Sequence, residues 1–545
     1  MRLKLIGLAA AVGTSIVPPG TVFAQTAQTA QTAPDPAAAA AACTENADPY
    51  KNYACLDNYL GSNVFDRFLN YYKLEWGQAS APADPNAPPQ RRANWDPAPE
   101  ATPPMPFTEW PYGGTTPLGV TRTGSVDSPL MVAIANTDPG KWLAETGIQI
   151  YGWADVGGNV STNGTRRGGN APIAYAAYPN TVQLDQAVIY IDRFPDTVQT
   201  DHIDWGMRLS AIYGENYRYT TSYGLASYQY TKYNNQNGYD FPMLYGELFI
   251  PQVAQGLMIR VGRYISLPDI EAQLAPNNYM YTHSLTYAYD NYTNEGILAS
   301  LAVTPHVLLQ FGISDGTEAA ISSVGNSIVN PNPNPLYPGN RFQKDPGAMI
   351  PTYTACARFD WNDGKDNLYP CANGINGGNW GYNNLQWYGT TYYHKWNDQW
   401  HISFEAYDEH EDGVPNINNP NVAAGAYTTP FSQLNFNAPG LAHCGNVTVL
   451  RCNAYALGSV VYLNYSPDPL NNFSFRPEIY YDPQGQRTGT PATYYDFSIG
   501  WQHWLSPQVE LRPELGYYRS NGGNAFNAGT KNYTVIGATD MIWHF

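Results

Sequence analysis

The sequence lacks a hydrophobic run long enough to cross a membrane as a helix. Such a span needs about 20 apolar residues. The nearest approach, Leu5 to Val17, is shorter and ends at Pro18, Pro19 and Gly20. Basic residues are scarce, with 28 Lys and Arg against 45 Asp and Glu and a net charge of −17. So acidic a chain is a poor candidate for nucleic-acid binding. It would repel anionic surfaces unless divalent cations intervene. Cysteine is sparse at six residues, with no C-x-x-C pair, which argues against a thiolate metal centre. His443 beside Cys444 reads as a loop residue. No H-E-x-x-H or P-loop pattern is present, and no G-x-S-x-G elbow stands out. His283-Ser284 is the one adjacent Ser/His couple worth weighing, but in an extended chain neighbouring side chains point to opposite faces. An enzyme is therefore not expected, and no cofactor or metal is predicted.

What is present begins with an export signal. Arg2 and Lys4 precede the apolar stretch, and small residues lead to Val22-Phe23-Ala24. This predicts a secretory leader over 1–24, cleaved after Ala24. Its loss would take the mature chain to −19, because it carries two cations and no acids. In an oxidising compartment the cysteines read as three local couples, Cys43 with Cys55, Cys356 with Cys371 and Cys444 with Cys452. Six cysteines allow 15 connectivities, so the spacing alone leaves the pairing open.

Residues 25–146 form an irregular N-terminal extension. A Gln/Thr/Ala tract runs to Ala42, and 79–112 is crowded with proline. Between them Val64, Phe65, Phe68, Leu69, Tyr72 and Leu74 recur at helical spacing, predicting a short helix near 63–76 capped by Ser62 or Asn63.

From Gly147 the period changes to two. In 472–482 Phe473, Phe475, Pro477, Ile479 and Tyr481 alternate with Ser474, Arg476, Glu478, Tyr480 and Asp482. The segments 203–214, 494–504 and 508–518 alternate in the same way. The pattern predicts apolar-out, polar-in strands, although a soluble sandwich would alternate equally well with the faces exchanged. The connections decide between them. Short turns, most with proline (Pro195, Pro251, Pro305, Pro467 with Pro469, Pro507), alternate strictly with longer loops at 158–181, 215–240, 265–294, 315–383 and 409–453. That sidedness is expected of outer-membrane barrels. With 44 Tyr, 14 Trp and 18 Phe there is ample material for two aromatic girdles. The expectation is an all-β transmembrane antiparallel barrel over 147–545 with about 14 strands, rising to 16 if a hairpin such as 222–232 or 281–289 lies inside a long loop. Pro477 and Pro513 fall inside strands and are expected to mark bulges. Strand 182–193 alternates poorly at Gln186.

Several segments resemble the putative beta-barrel porin-2 family, the OmpL-like porins. They are Asn180-Thr181-Val182-Gln183-Leu184-Asp185-Gln186, Arg260-Val261-Gly262-Arg263-Tyr264, Arg476-Pro477-Glu478, Arg512-Pro513-Glu514 and the last strand. There Met541, Trp543 and Phe545 share a face and end on an aromatic, which resembles the signal read by the barrel assembly machinery. The resemblance covers roughly 147–545. It implies a bacterial outer-membrane channel for small hydrophilic solutes, in contact with lipids and lipopolysaccharide. A homo-oligomer is compatible with this class, but no residue pattern marks an interface.

On the polar face, Arg208, Arg260, Arg476 and Arg512 are expected to line the pore with Glu247, Glu405, Glu478, Asp496, Glu510 and Glu514. Opposed charge rows would create a transverse field. The blander expectation is mutual neutralisation that stiffens the wall. The third long loop, 265–294, reads first as an ordinary surface loop; by analogy with general porins it would instead narrow the channel, with Asp269 and Glu271 as constriction acids facing Arg260 and Arg208. Asp408 to Gly413 is an acidic run expected in an external loop, able to bind divalent cations near lipopolysaccharide. Asp360 to Asp366 resembles a calcium loop, but its glycine stands one place too early. Two alternatives remain: a barrel plugged by the extension or closed, serving as a receptor or adhesin, and, less favoured, a barrel enzyme.

Overall fold

A computed structural model describes residues 61–72, 128–317 and 351–545, apart from short internal gaps. The leader, Cys43, Cys55, the proline-rich 79–112 and nearly all of 222–232 lie outside the described residues. Among the described residues no helix is long and apolar enough to cross a membrane.

One antiparallel sheet closes on itself, in sixteen strand positions. In chain order they are β1 (Ile148–Ser161), β2 (Val182–Arg193), β3 (Asp204–Gly214), β4 (Gly238–Asp240 with Leu244–Ile250) and β5 (Leu257–Ile265). Then follow β6 (Thr293–Thr304), β7 (Val307–Thr317), β8 (Thr352–Trp361), β9 (Asp366–Ile375), β10 (Gln386–Lys395) and β11 (Trp400–Pro415). The last five are β12 (Arg451–Asp468), β13 (Asn471–Asp482), β14 (Ala492–Ser506), β15 (Val509–Leu511 with Glu514–Asn521) and β16 (Tyr533–His544). β1 pairs with both β2 and β16, which leaves no free edge.

The hairpin that brings fourteen strands to sixteen is β8–β9, inside 315–383. The segment 281–289 instead contains a helical turn, Leu285–Ala288. β8 and β9 are faint in the sequence because their outward residues include Ala355, Ala357, Pro370 and Ala372, which give alternation little amplitude. Cys356 and Cys371 are directly opposed across this hairpin on the inward face, bonded to one another with Cα atoms 4.1 Å apart. The second disulfide, Cys444–Cys452, fastens a long loop to the start of β12.

Two local expectations are corrected. Pro477 and Pro513 produce no bulge. The β13–β14 register runs through Pro477 unbroken, and both β15 registers are the same on either side of Pro513. Each proline faces outward and costs only ladder bonds. A bulge does lie in β2, where Asp155 pairs with Gln186 and the next residue, Val156, with Leu184. The extra residue turns both Asp185 and Gln186 inward, where both are fully buried. That accounts for the broken alternation at Gln186.

Apolar side chains face outward. Leu244, Leu248, Val261, Ile297, Phe475, Ile499 and Leu515 are all exposed, while Arg260 beside Val261, Ser474 and Arg476 beside Phe475, Ser498 beside Ile499 and Glu514 beside Leu515 are buried. Exposed outer tryptophans and tyrosines gather towards the two ends of the strands, while Phe311, Phe475 and Phe497 lie between them. Trp205, Trp361, Trp400 and Trp543 lie at the short-turn end, and Tyr213, Tyr353, Tyr455 and Tyr533 at the loop end. Eight to ten residues separate the two groups along β3, β8 and β16. At about 3.3 Å per residue and a tilt of about 40° this spans roughly 20–25 Å, the height of the apolar band of outer-membrane barrels.

Before the barrel come α1 (Val64–Tyr72), α2 (Pro129–Ile134) and α3 (Asp138–Thr146). Asn63 caps α1 through the Asp66 amide at 2.8 Å. Buried Arg67 donates to the Val132 carbonyl at 3.1 Å, tying α1 to α2. Ser128 donates to the Ile150 carbonyl, so this unit rests at the start of β1, at the short-turn end.

Candidate functional site

The third long loop does not extend away from the barrel. Its described part, 269–292, lies within the lumen with all but one residue buried. Four walls hold it. On β2, Gln186 donates to the Gln273 carbonyl at 2.7 Å and accepts from the Ala275 amide at 3.1 Å, and Tyr281 donates to Asp185 at 2.9 Å. On β11, Glu405 accepts from the Ile270 amide at 2.9 Å, and His401 meets the Tyr279 hydroxyl at 2.8 Å. On β13, Glu478 accepts from the Leu285 amide at 2.9 Å and the Thr286 hydroxyl at 2.6 Å. On β15, Glu514 accepts from the Thr282 amide at 2.9 Å. Arg512 reaches from the same wall to the carbonyls of Ala275 and Asn278. Wall glycines make room for the loop. A Cβ at Gly500 would lie 2.8 Å from Met280, and one at Gly458 2.9 Å from Thr286.

These contacts show why the loop folds inward. A buried loop needs partners for its backbone polar groups. Wall carboxylates accept its N–H groups, and wall arginines donate to its carbonyls.

All ten residues expected to line the pore lie on the inward face. Their charges meet partners on adjacent strands or the loop. Arg208 binds Asp192 at 2.9 Å and Arg260 binds Glu247 at 2.6 Å, each pair directly opposed in register. Arg476 binds Asp496 at 2.7 Å, and Arg512 pairs with Asp540. Glu510 accepts from Gln502 at 2.7 Å. The pairing resembles a stiffened wall more than two opposed rows.

Asp269 and Glu271 do not face Arg260 or Arg208, both of which are paired on their own side of the barrel. Glu271 lies 3.6 Å from Arg476 and accepts hydrogen bonds from Tyr462 and Ser284. Asp269 joins Asp290 and Glu405 in a buried group of carboxylates. Burial is the largest cause pushing Asp269 up to about 7, opposed by a hydrogen bond to Asp290. Burial and the Asp269 charge push Asp290 upward too.

Other motifs fall elsewhere than expected. Asp408 to Gly413 is the far end of β11 rather than a loop, with Glu409 and Glu411 turned inward and Asp408 outward. Asp360 to Asp366 contains the short β8–β9 turn, and Asp366 bonds to His394 at 2.7 Å. His283 bonds through Nε2 to the Ala272 carbonyl at 2.6 Å, whereas the Ser284 hydroxyl donates to Glu271, so the couple does not cooperate. Residues that grip the loop but escaped the sequence reading include Asp185, His401, Tyr462 and Arg487. Gln186 left a trace as an apparent misfit. His401 and Tyr462 sit at ordinary inward strand positions, Asp185 is turned inward by the β2 bulge and Arg487 lies in the loop after β13, so none of them leaves one.

A closed sixteen-strand barrel with an apolar exterior and a lumen loop defines the class of porin-like barrels of the bacterial outer membrane. Within that class the chain belongs to the family described as "Putative beta-barrel porin-2, OmpL-like", which matches residues 147–545. No curated protein matches the sequence. Among solved structures it is similar to the outer membrane channel DcaP of Acinetobacter baumannii, at 9% identity and TM-score 0.41, over 73% of this chain and 97% of that one. It is also similar to the anion-selective porin from Comamonas acidovorans, at 9% identity and TM-score 0.40, over 73% and 99% of the two chains. A mutant Rh. blastica porin aligns at 12% identity and TM-score 0.36, over 73% of this chain and all of that one.

Proposed function

We propose that this protein is a porin through which small hydrophilic solutes diffuse passively past the inward loop. The observation that carries the reading is the loop 269–292, held across the lumen by four walls. Sixteen-strand barrels are wide enough for an aqueous channel, and a loop fixed across one sets its bore. Asp269 and Glu271 belong to this constriction, and the ten inward-facing charged residues to the lumen wall. Planar-bilayer recording of the purified chain tests it, with liposome swelling in sugars. Discrete open-channel steps and swelling are expected. Silence in both would reject the porin.

The near-complete burial of the loop favours one second reading, a barrel closed by it that acts as a receptor through its external loops. Current that appears only after the loop is shortened supports that reading. Current that appears only after 25–145 are removed instead assigns the closure to the extension.

Export by the leader 1–24 and recognition of Met541, Trp543 and Phe545 by the assembly machinery belong to the same proposal. The Phe545 amide donates to the Gly152 carbonyl at 2.8 Å, and the Gly152 amide to the Phe545 carbonyl at 2.9 Å. The terminal residue therefore completes the β1–β16 seam. Deleting Phe545 is expected to lower the folded, heat-modifiable fraction in outer-membrane preparations several-fold. An unchanged fraction would remove it from the signal.

A further inference from the structure

Near its two ends the lumen loop carries Asp269 and Asp290, and both meet Glu405 of β11. Candidate ligand oxygens, one from each residue, all lie within 4.8 Å of one another, and all three side chains are buried. Three desolvated carboxylates at this spacing repel strongly unless protons or a cation intervene.

The neighbouring arginines pair with other acids, and Arg487 also donates to the Asp290 backbone carbonyl at 3.2 Å. Arg476 lies 3.6 Å from Glu271 and 2.7 Å from Asp496, and Arg487 lies 3.1 Å from Glu409. Among the described residues no lysine or arginine is within ion-pair distance of Asp290 or Glu405.

A second observation concerns individual oxygens. Glu405 uses Oε2 to accept from the Ile270 amide at 2.9 Å, and its Oε1 has no hydrogen-bond partner. Asp290 uses Oδ1 to accept from Asn291, and its Oδ2 has no partner. Glu405 is fully buried and Asp290 is 3% exposed. Each carboxylate is thus held from outside the cluster through one oxygen and turns the other towards its fellow acids, a contact that only a proton or a cation can bridge. Orphaned buried acceptors of this kind are uncommon and call for an explanation.

We propose that Asp269, Asp290 and Glu405 form a calcium-binding site that fastens both ends of the lumen loop to β11. An all-oxygen donor set selects a hard cation. Calcium binds oxygen at about 2.3–2.6 Å, so ligands on opposite sides of one ion lie about 4.6–5.2 Å apart, whereas magnesium at about 2.0–2.1 Å would hold them at about 4.1 Å. Donors that all lie within 4.8 Å of one another can reach a single ion, and calcium accepts an irregular oxygen shell more readily than magnesium does. The ion would neutralise most of the cluster's charge and close the neck of the loop without any change in the strands.

Binding is read directly, so the test is separate from whether the barrel conducts. The folded full-length chain in detergent is stripped with EGTA, then titrated with calcium chloride alone by calorimetry, with terbium luminescence as a second probe. One calcium per chain is expected, with a higher melting temperature. Glu405→Gln and Asp290→Asn should each weaken binding at least tenfold while keeping heat-modifiable migration, which shows that they fold. Asp412→Asn, at the far end of β11, should leave binding unchanged. No calcium uptake by the wild type, or equal affinity in both site variants, overturns the proposal. Tighter binding of magnesium than of calcium overturns the assignment of the ion.

Discussion

Replacing residues 269–291 with a short glycine–serine linker is expected to raise single-channel conductance several-fold and to shift selectivity towards cations. The loop is buried because it occupies the cross-section that a sixteen-strand barrel would otherwise leave to water. Its removal has an electrostatic consequence as well. Glu405, Glu478 and Glu514 each accept a loop backbone amide, and Asp185 accepts the Tyr281 hydroxyl. Without the loop these four carboxylates face water. Arg512 loses two loop carbonyls but keeps Asp540. Negative charge therefore gains exposure while the positive charge stays paired. Bilayer recordings with a salt gradient read both quantities. Unchanged conductance in a folded variant would show that the loop does not set the bore. Increased conductance without cation preference would show that the wall carboxylates take up protons when freed.

The barrel was legible because its driving force is periodic. Phe473, Phe475, Ile499 and Trp501 meet lipid at every second residue, and short turns mark one end. Neither feature depends on long-range contacts. β8 and β9 were faint because alanine and proline occupy outward positions there. The β2 bulge was visible only as a disturbance at Gln186, since sequence alone does not reveal that Asp185 and Gln186 both turn inward. An inward loop was only an analogy from its order in the chain, set against the commoner surface loop. Its partners were not legible, because contacts such as Glu405 with Ile270 and Glu478 with Leu285 join residues 135 and 193 positions apart. No local pattern encodes which wall a loop will reach. The same reason misplaced Asp269 and Glu271. Arg260 and Arg208 each already have a carboxylate directly opposite on the neighbouring strand.

Arg476→Leu is expected to destabilise the folded barrel by roughly 3–5 kcal/mol, the usual cost of stranding the partners of a buried ion pair. Arg476 is fully buried and joins two parts of the molecule. On the wall its Nε donates to Asp496 at 2.7 Å and one terminal nitrogen donates to the Tyr518 hydroxyl at 2.8 Å. On the loop it donates to the Thr282 carbonyl at 2.5 Å and hydroxyl at 3.0 Å, and it lies 3.6 Å from Glu271. Leucine fills much of the volume but leaves Asp496 and Glu271 without their counter-ion. Lysine keeps the charge and loses the planar fork that reaches several acceptors at once, so Arg476→Lys should fall between the two. The double variant Arg476→Leu, Asp496→Leu removes both members of the closer pair and should recover part of the loss, with Glu271 still stranded. Urea unfolding followed by tryptophan emission measures all four proteins. A loss below about 1 kcal/mol for Arg476→Leu would mean that water enters to solvate the two acids, as at an exposed ion pair. The dry, wall-anchored loop described above would then be wrong at this point.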